Sequence, residues 1–267
     1  MRKIKIGFLL LIALVTLLFV PNIANAFEVV EFDTHEEDLV LLASETKYYK
    51  TTIYYDNGNS VMNFGSVSVP TSETVEVTYE EYMNANPENS IVINASHTVE
   101  TIYRFVTSYL YQHGSGYRYK SLISWKTMPS ARSNDIIAIG FYSSVTPTNA
   151  AFQQQYCSYS QGCGTTSLFY PSQFSEGASA VFPLVTYDDL YSLTSIFYID
   201  VEKTNPNNTV SYQLSSADYS HAISSVSALT AKNNHSVIQN AAIVLGSAIN
   251  PYYDASTESS VYWNGTW

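Results

Sequence analysis

The sequence predicts an all-β protein, an antiparallel β-sandwich with little helix, for which a jelly-roll topology is one option. Tyr occurs 23 times in 267 residues, and Ser, Thr and Asn are abundant whereas Lys and Glu are sparse. Strands favour β-branched and aromatic side chains, whereas helices draw on Ala, Leu, Glu and Lys. Two-residue alternation of side-chain type recurs along the chain, and this is the second indication of strands.

The first 26 residues have the features of a signal peptide. Three basic residues precede an apolar run over residues 6–20, and a small-x-small cleavage site follows at residues 24–26. The run is short for a membrane span, and no later apolar run reaches about 18 residues. We therefore expect a secreted, extracellular protein without a stable membrane span after cleavage.

Acidic residues dominate the charge of the chain. The formal net charge is −11, and it becomes −14 when the three basic residues of the signal peptide are removed. Such a chain repels nucleic acid and anionic lipid headgroups, so nucleic acid is not an expected partner. Cations or basic surfaces are easier partners, although the acidity is better explained as a means of keeping a secreted protein in solution.

The mature chain is divided at residue 90. Residues 27–90 are predicted to be an acidic N-terminal segment with a β-hairpin, and residues 91–267 to be the β-sandwich domain. The hairpin is predicted at Asn57-Gly58, a dipeptide that type I′ turns prefer, because strand-like residues flank it. Further strands are predicted over residues 134–145, 178–185, 193–201 and 209–214.

The strongest alternation surrounds a Gly-rich loop at residues 112–116. Residues 102–111 and 117–126 alternate aromatic with other side chains, which predicts a long β-hairpin with its aromatic residues on one face. This face is either core or an exposed platform on which rings stack against carbohydrate. The candidate platform residues are Tyr103, Tyr109, Tyr111, Tyr117 and Tyr119.

Residues 125–135 are predicted to turn a corner between two strands. Trp125 ends the hairpin, and Pro129 cannot donate to a β-ladder and favours an extended residue before it. Arg132 and Asp135 are expected to pair with each other or with loop backbone, above Trp125. A catalytic Arg/Asp pair would need a nucleophile, a base or a metal nearby in the sequence, so a structural role is favoured.

The corner also carries a family resemblance. Residues 125–137 follow the pattern W-x-x-M-P-x-x-R-S-x-D-x-I and resemble secreted proteins of unknown function from Gram-positive bacteria. Residues 79–93 and 219–238 are similar to segments of the same proteins, although Ser220 stands where their pattern has Gln. The resemblance implies no activity.

Cys157 and Cys163 are the only cysteines, and they are expected to form a disulfide that closes a surface loop. The residues between them include no His, Asp or Glu that could join a metal site, and the spacing is not CxxC. The sequence has no GxSxG, HExxH or phosphate-binding loop, and its His residues lack metal-ligand spacing. We therefore expect no catalytic residues, no metal and no cofactor.

Three hypotheses about function follow. The favoured one is a non-catalytic extracellular protein that binds a surface or extracellular partner. One alternative is a membrane-active protein, linked to a toxin or bacteriocin, that inserts a β-hairpin. Such a hairpin needs about 9–11 residues per strand with an apolar lipid-facing row, and Arg104, Arg118 and Lys120 interrupt the best stretch. The other alternative is a hydrolase of cell-wall polysaccharide.

Overall fold

The computed structural model describes residues 38–56, 69–86, 90–93, 97–142, 144–174, 176–211, 213–238 and 243–266. The structure is 64% strand and 8% helix, with antiparallel sheets packed against each other, which confirms the predicted all-β sandwich. The predicted signal peptide and the predicted turn at Asn57-Gly58 lie outside the described residues.

The strands are numbered in chain order. They are β1 (Leu39–Asp56), β2 (Thr71–Val77), β3 (Ile91–Ile93), β4 (His97–His113), β5 (Gly116–Trp125), β6 (Asn134–Gly140), β7 (Val145–Ser158), β8 (Gly162–Thr166), β9 (Tyr170–Phe174), β10 (Gly177–Pro183), β11 (Leu190–Lys203), β12 (Gln213–Ser220), β13 (His235–Val237), β14 (Ile243–Leu245) and β15 (Thr257–Trp263). The helices are α1 (Tyr79–Asn84), α2 (Ala228–Asn233) and a 3-10 turn (Asn250–Tyr252).

These strands form two large layers and a small ribbon. The large sheet has the order β2-β1-β4-β5-β11-β7-β8, and β3 also pairs with β4. The small sheet has the order β15-β12-β6-β10-β9, and β13 pairs with β14 in a separate ribbon. Each α-helix has a side-chain cap, because Thr78 accepts a hydrogen bond from the Glu81 N–H and Ser227 accepts one from the Thr230 N–H.

The predicted N-terminal segment contributes strands to the large sheet. β1 pairs with β4 from Leu39↔His113 to Asp56↔His97, and with β2 on its other side. The ladder with β2 ends at Tyr54↔Thr71, so the partner of β1 in this hairpin is Thr71–Val77. The described residues from 38 onward belong to one compact unit.

The long hairpin predicted around residues 102–126 is confirmed as β4–β5. Its turn has only two residues, Gly114 and Ser115, and Gly114 adopts a positive φ of 57°. A two-residue turn pairs Tyr111 with Arg118, whereas the predicted five-residue loop would have paired it with Tyr117. The prediction that the aromatic residues of both strands share one face is therefore wrong.

The core lies between the two sheets. The large sheet supplies Ile102, Val106, Leu110, Tyr119 and Ile123, and the small sheet supplies Ile137, Ile139, Phe182, Ala217 and Tyr219. β4 and β5 are interior strands, flanked by β1 and β11. The hairpin that the membrane-insertion hypothesis would use is therefore bonded on both sides.

Candidate functional site

The corner at residues 125–135 carries the chain from the large sheet to the small one. Trp125 is the last residue of β5 and is fully buried, and Asp135 lies in β6 and is also fully buried. Arg132 donates from Nε to the Pro129 carbonyl oxygen at 3.1 Å and from Nη1 to the Tyr187 carbonyl oxygen. Arg132 thus holds two loops together through backbone acceptors.

Asp135 bonds with a different set of groups. Its carboxylate accepts hydrogen bonds from the Tyr219 hydroxyl and from the Ala222 N–H at 2.9 Å, and both oxygens lie 3.1 Å from His221 Nδ1. Trp125 packs edge-on against the rings of Tyr219 and His221, with centroid distances of 5.8 and 5.0 Å. Burial, and then the charge of Asp135, raises the pKa of Tyr219 well above its ordinary value, so its hydroxyl is a neutral donor.

A second carboxylate extends this group of buried residues. Asp254 accepts from Arg104 Nη1 at 2.5 Å and from the His221 backbone N–H at 2.7 Å. The Arg104 guanidinium lies 5.4 Å from the Trp125 ring centroid and 5.2 Å from that of Tyr219. We call the group the core polar cluster, and its members are Arg104, Trp125, Asp135, Tyr219, His221 and Asp254.

The core polar cluster has the residue types of an acid–base site, but solvent and substrate cannot reach them. Asp135 and His221 are both completely buried, with side-chain exposures of 0%. A substrate must come within hydrogen-bond reach of a general base, and here the sandwich core surrounds both groups. The cluster therefore ties the two sheets and the segment before β15 together, and it does not face solvent.

Sequence reasoning missed a Ser–His pair, which is also buried in the fold. Ser179 Oγ is 2.7 Å from His235 Nε2, and His235 Nδ1 is 2.8 Å from the Ala231 carbonyl oxygen. Burial lowers the pKa of His235. Because Ser179 is completely buried, this pair fastens α2 and β13 to β10 and presents no nucleophile to solvent.

The five candidate platform tyrosines are not brought together. Tyr117 and Tyr119 point into the core and are 4% and 0% exposed. Tyr103, Tyr109 and Tyr111 are half-buried on the opposite, outer face of the large sheet. The five tyrosines therefore do not form the predicted platform. The two-residue turn places the aromatic residues of β4 on the outer face and those of β5 in the core.

The outer face holds its own aromatic and charged contacts. Tyr109 and Tyr111 stack at 5.8 Å, and Lys120 Nζ lies 5.7 and 5.8 Å from their ring centroids. Arg118 lies 4.0 Å from the ring centroid of Tyr198 and makes two bonds to Asp200, at 2.7 and 3.1 Å. Lys120 and Arg118 are therefore already engaged by neighbouring side chains.

Two surface depressions lie elsewhere on the described part of the chain. One, of about 450 Å³, is lined by residues of α1 and by Tyr103 from the candidate platform. The other, of about 360 Å³, is lined by residues at the β1 end and at the β4–β5 turn. Neither is lined by a residue of the core polar cluster.

Two of the exposed tyrosines, Tyr159 and Tyr191, lie beside the disulfide. The predicted bond between Cys157 and Cys163 is confirmed, and it joins β7 to β8. Tyr159, in the loop between these strands, is 82% exposed, and its ring centroid lies 4.7 Å from that of Tyr191, which is 45% exposed. The Tyr191 hydroxyl lies 3.8 Å from Cys163 Sγ.

A second tyrosine pair lies on the same two segments, but Tyr156 is on the core-facing side of β7, opposite to Cys157. Tyr156 and Tyr187 have ring centroids 5.4 Å apart, and the hydrogen bond that the Tyr156 hydroxyl donates to Tyr187, followed by burial, raises the pKa of Tyr156. Gly164 makes room for this ring, because a Cβ there would lie 2.6 Å from the Tyr156 hydroxyl oxygen. We call the two segments that carry Tyr156, Tyr159, Tyr187 and Tyr191 the tyrosine end, and Tyr159 and Tyr191 are its most exposed pair.

Hydrogen bonds fix the loops of the tyrosine end. Asp189 accepts from the Ser158 hydroxyl at 2.7 Å and from the Ser160 N–H at 2.5 Å, and these bonds lower the pKa of Asp189. Arg132 donates a hydrogen bond to the carbonyl oxygen of Tyr187. The predicted corner therefore helps to hold the segment that carries Tyr187. Sequence reasoning named the disulfide and Arg132 but not the tyrosines, because their two segments lie about 30 residues apart.

Two negative findings apply to the described residues. No group of three or more His, Cys, Asp or Glu side chains among them could hold a metal ion. None of the helices within these ranges has the length and apolar character required to cross a membrane.

Comparison with known proteins yields only distant structural similarity. No protein-family model matches the chain, and no curated protein matches its sequence. The N-terminal domain of the Streptococcus gordonii adhesin Sgo0707 is similar over 87% of this chain, with 10% identity and a TM-score of 0.33. This chain spans 57% of that domain, less than two thirds of its length.

Two further solved structures show weaker similarity. The collagen-binding domain of the Erysipelothrix rhusiopathiae surface protein RspB has 6% identity and a TM-score of 0.27, over 66% of this chain and 72% of its own. Clostridium perfringens delta-toxin has 8% identity and a TM-score of 0.22, over 64% and 91%. Similarity at this level carries no conclusion about the function of this chain.

Proposed function

We propose that the protein is a secreted, non-catalytic β-sandwich that binds a partner at a cell surface or in the extracellular medium, and that it does so through the tyrosine end. The observation that carries the proposal is the exposed pair of Tyr159 and Tyr191 on a disulfide-closed loop. Tyrosine combines a large apolar ring with a hydroxyl, and this combination is enriched where proteins bind partners.

The tyrosine end is held in place before any partner arrives. The disulfide, the two bonds to Asp189 and the bond from Arg132 to the Tyr187 carbonyl restrict both tyrosine-bearing segments. A surface that is already ordered loses little conformational entropy on binding, so more of the contact energy is available as affinity.

An extracellular location fits the same residues. Stable disulfides are typical of oxidising compartments, and the Cys157–Cys163 bond closes a surface loop. The signal-like first 26 residues and the resemblance to secreted Gram-positive proteins support the same proposal.

A binding role is favoured over catalysis because of where the reactive side chains lie. The Asp135–His221 and Ser179–His235 pairs are enclosed in the fold. A third pair, His113 and Asp200 at 3.3 Å, lies at the surface, and Arg118 also binds its carboxylate. The tyrosine end, in contrast, presents rings, hydroxyls and amides, which bind but do not transfer protons readily near pH 7.

Sedimentation with isolated bacterial cell walls and with intact cells tests the proposal. We expect the fluorescently labelled protein to co-sediment, and the Tyr159→Ser/Tyr191→Ser double variant to lose most of this binding. Tyr54→Ser is the matched control, because Tyr54 is a 42% exposed tyrosine on β1 that belongs to neither pair. Equal retention of the double variant and the control would exclude the tyrosine end as the binding surface.

A further inference from the structure

We propose that the tyrosine end takes a neutral glycan, a chain of uncharged sugars rich in hydroxyl groups. The inference rests on the proposed binding function and adds the chemical class of the ligand. Four properties of the surface support it: the exposed ring faces, the polar groups beside them, the charge of the segment and the rigidity already described.

The exposed ring faces match one side of a sugar ring. Tyr159 and Tyr191 lie 4.7 Å apart with their planes inclined by 39°, so the two rings pack partly against each other and the exposed ring area is on their outer sides. A pyranose ring has a face of C–H groups, which packs against the electron-rich face of an aromatic ring, while its hydroxyl groups point outward. The outer side of each ring therefore suits a sugar ring of a glycan chain.

The polar groups beside the rings suit hydroxyl partners. Gln155 of β7 shares the outer face with Cys157, and it pairs across the strands with Thr165 and Thr194. The amide and hydroxyl groups of these three residues both donate and accept hydrogen bonds, as sugar hydroxyls do. They lie next to the disulfide and therefore next to Tyr191, whose hydroxyl contacts Cys163.

The charge of this part of the chain disfavours an anionic ligand. Residues 133–202 contain no Lys or Arg. Asp188 is exposed on the loop of Tyr187, and the neighbouring Asp189 is held ionised by its hydrogen bonds. The nearest cation in sequence, Arg132, is occupied by two backbone carbonyls. Phosphate-, sulfate- or carboxylate-bearing polymers would meet negative charge without a counter-charge.

An exposed aromatic surface also suits extended proline-rich peptides, which dock against aromatic side chains. The sugar is favoured because the surface beside the rings is a row of amides and hydroxyls on a flat sheet face. A peptide of this kind would need an apolar groove between the rings. The two classes therefore give different results in one binding experiment.

Isothermal titration calorimetry and a glycan array test the inference directly. The probes are hexamers of glucose, galactose, xylose and N-acetylglucosamine, with polygalacturonate and a sulfated polysaccharide as anionic probes and a decaproline peptide as the third class. We expect at least one neutral hexamer to bind and no anionic probe to do so. Tyr159→Ala and Tyr191→Ala should each weaken that binding at least tenfold, whereas Tyr54→Ala should leave it unchanged.

The possible failures separate this inference from the proposed function. If cell walls still retain the protein through the tyrosine end but only an anionic polymer or the peptide binds, or no probe binds at 1 mM, the glycan class is wrong and the binding function stands. If a neutral hexamer binds equally to wild type and to both tyrosine variants, the site is wrong. If the tyrosine variants also keep full retention on cell walls, both proposals fail. Circular dichroism of each variant confirms that the fold is retained.

Discussion

Removal of the Asp135 carboxylate tests how much the core polar cluster contributes to stability. In Asp135→Ala the Tyr219 hydroxyl, the Ala222 N–H and the His221 Nδ1 lose their acceptor inside the core. Each buried donor left without a partner costs about 1–3 kcal/mol, and breaking a buried charged or hydrogen-bonded pair costs about 3–5 kcal/mol in all after relaxation.

We therefore expect the free energy of unfolding to fall by about 4 kcal/mol, out of a total of about 5–15 kcal/mol for a domain. For a chain of this size, the melting temperature should fall by about 8–16 °C. Urea titration followed by circular dichroism measures the first quantity, and calorimetry the second.

The matched control is Glu73→Ala, which removes an exposed carboxylate from the edge strand β2. Its effect should stay within about 0.5 kcal/mol of wild type. Binding by the tyrosine end should be unchanged in Asp135→Ala once the protein is folded. A loss of less than about 1 kcal/mol in Asp135→Ala would refute the reasoning, because it would mean that the three donors find other partners at little cost.

Three further predictions concern other parts of the fold. Burial raises the pKa of Asp218 from 3.8 to about 7, so the folded state keeps a proton that the unfolded chain releases, and stability should fall by up to about 1.4 kcal/mol per pH unit as the pH rises from 4 to 7. Urea titrations of wild type and Asp218→Asn across this range should show the slope flattened in the variant, and an unchanged slope would contradict the assignment. Replacing both Cys157 and Cys163 by Ser should lower the free energy of unfolding by about 2 kcal/mol, as expected for a short loop, and chemical denaturation measures it; no change would show that the loop is ordered without the bond. Gly164→Ala should displace the Tyr156 ring at a cost of about 1 kcal/mol and alter the near-ultraviolet circular dichroism, and an unaltered spectrum would show that the ring does not approach this glycine.

Local patterns in the sequence predicted the strands that alternate strongly, but not their pairing. The β4–β5 hairpin was found from two-residue periodicity, yet periodicity does not state whether the turn has two residues or five. That single difference decides whether Tyr117 faces the core or the outer surface. β7 was not predicted, because its sequence has a Pro, three consecutive Gln residues and no regular alternation of apolar residues.

The polar clusters could not be predicted from spacing, because their members are far apart along the chain. Arg104 and Asp254 are separated by 150 positions, and Asp135 and His221 by 86. The family-like segments contained Trp125, Asp135 and His221, so similarity marked the right residues without stating that they meet. Exposure is also a property of the assembled fold, which is why the tyrosine end became visible only with β7, β8 and β11 side by side.

The distance in sequence between Arg104 and Asp254 has a consequence for the order in which the chain can fold. A chain that emerges from its N-terminus during synthesis contains Arg104 long before it contains Asp254. Residues through β12 and the 3-10 turn must be made before this carboxylate can pair with Arg104. Until then a guanidinium would have to leave water without its carboxylate, which is unfavourable. We therefore expect the two sheets to dock late during synthesis, and a chain cut short before Asp254 to stay open and accessible to proteases.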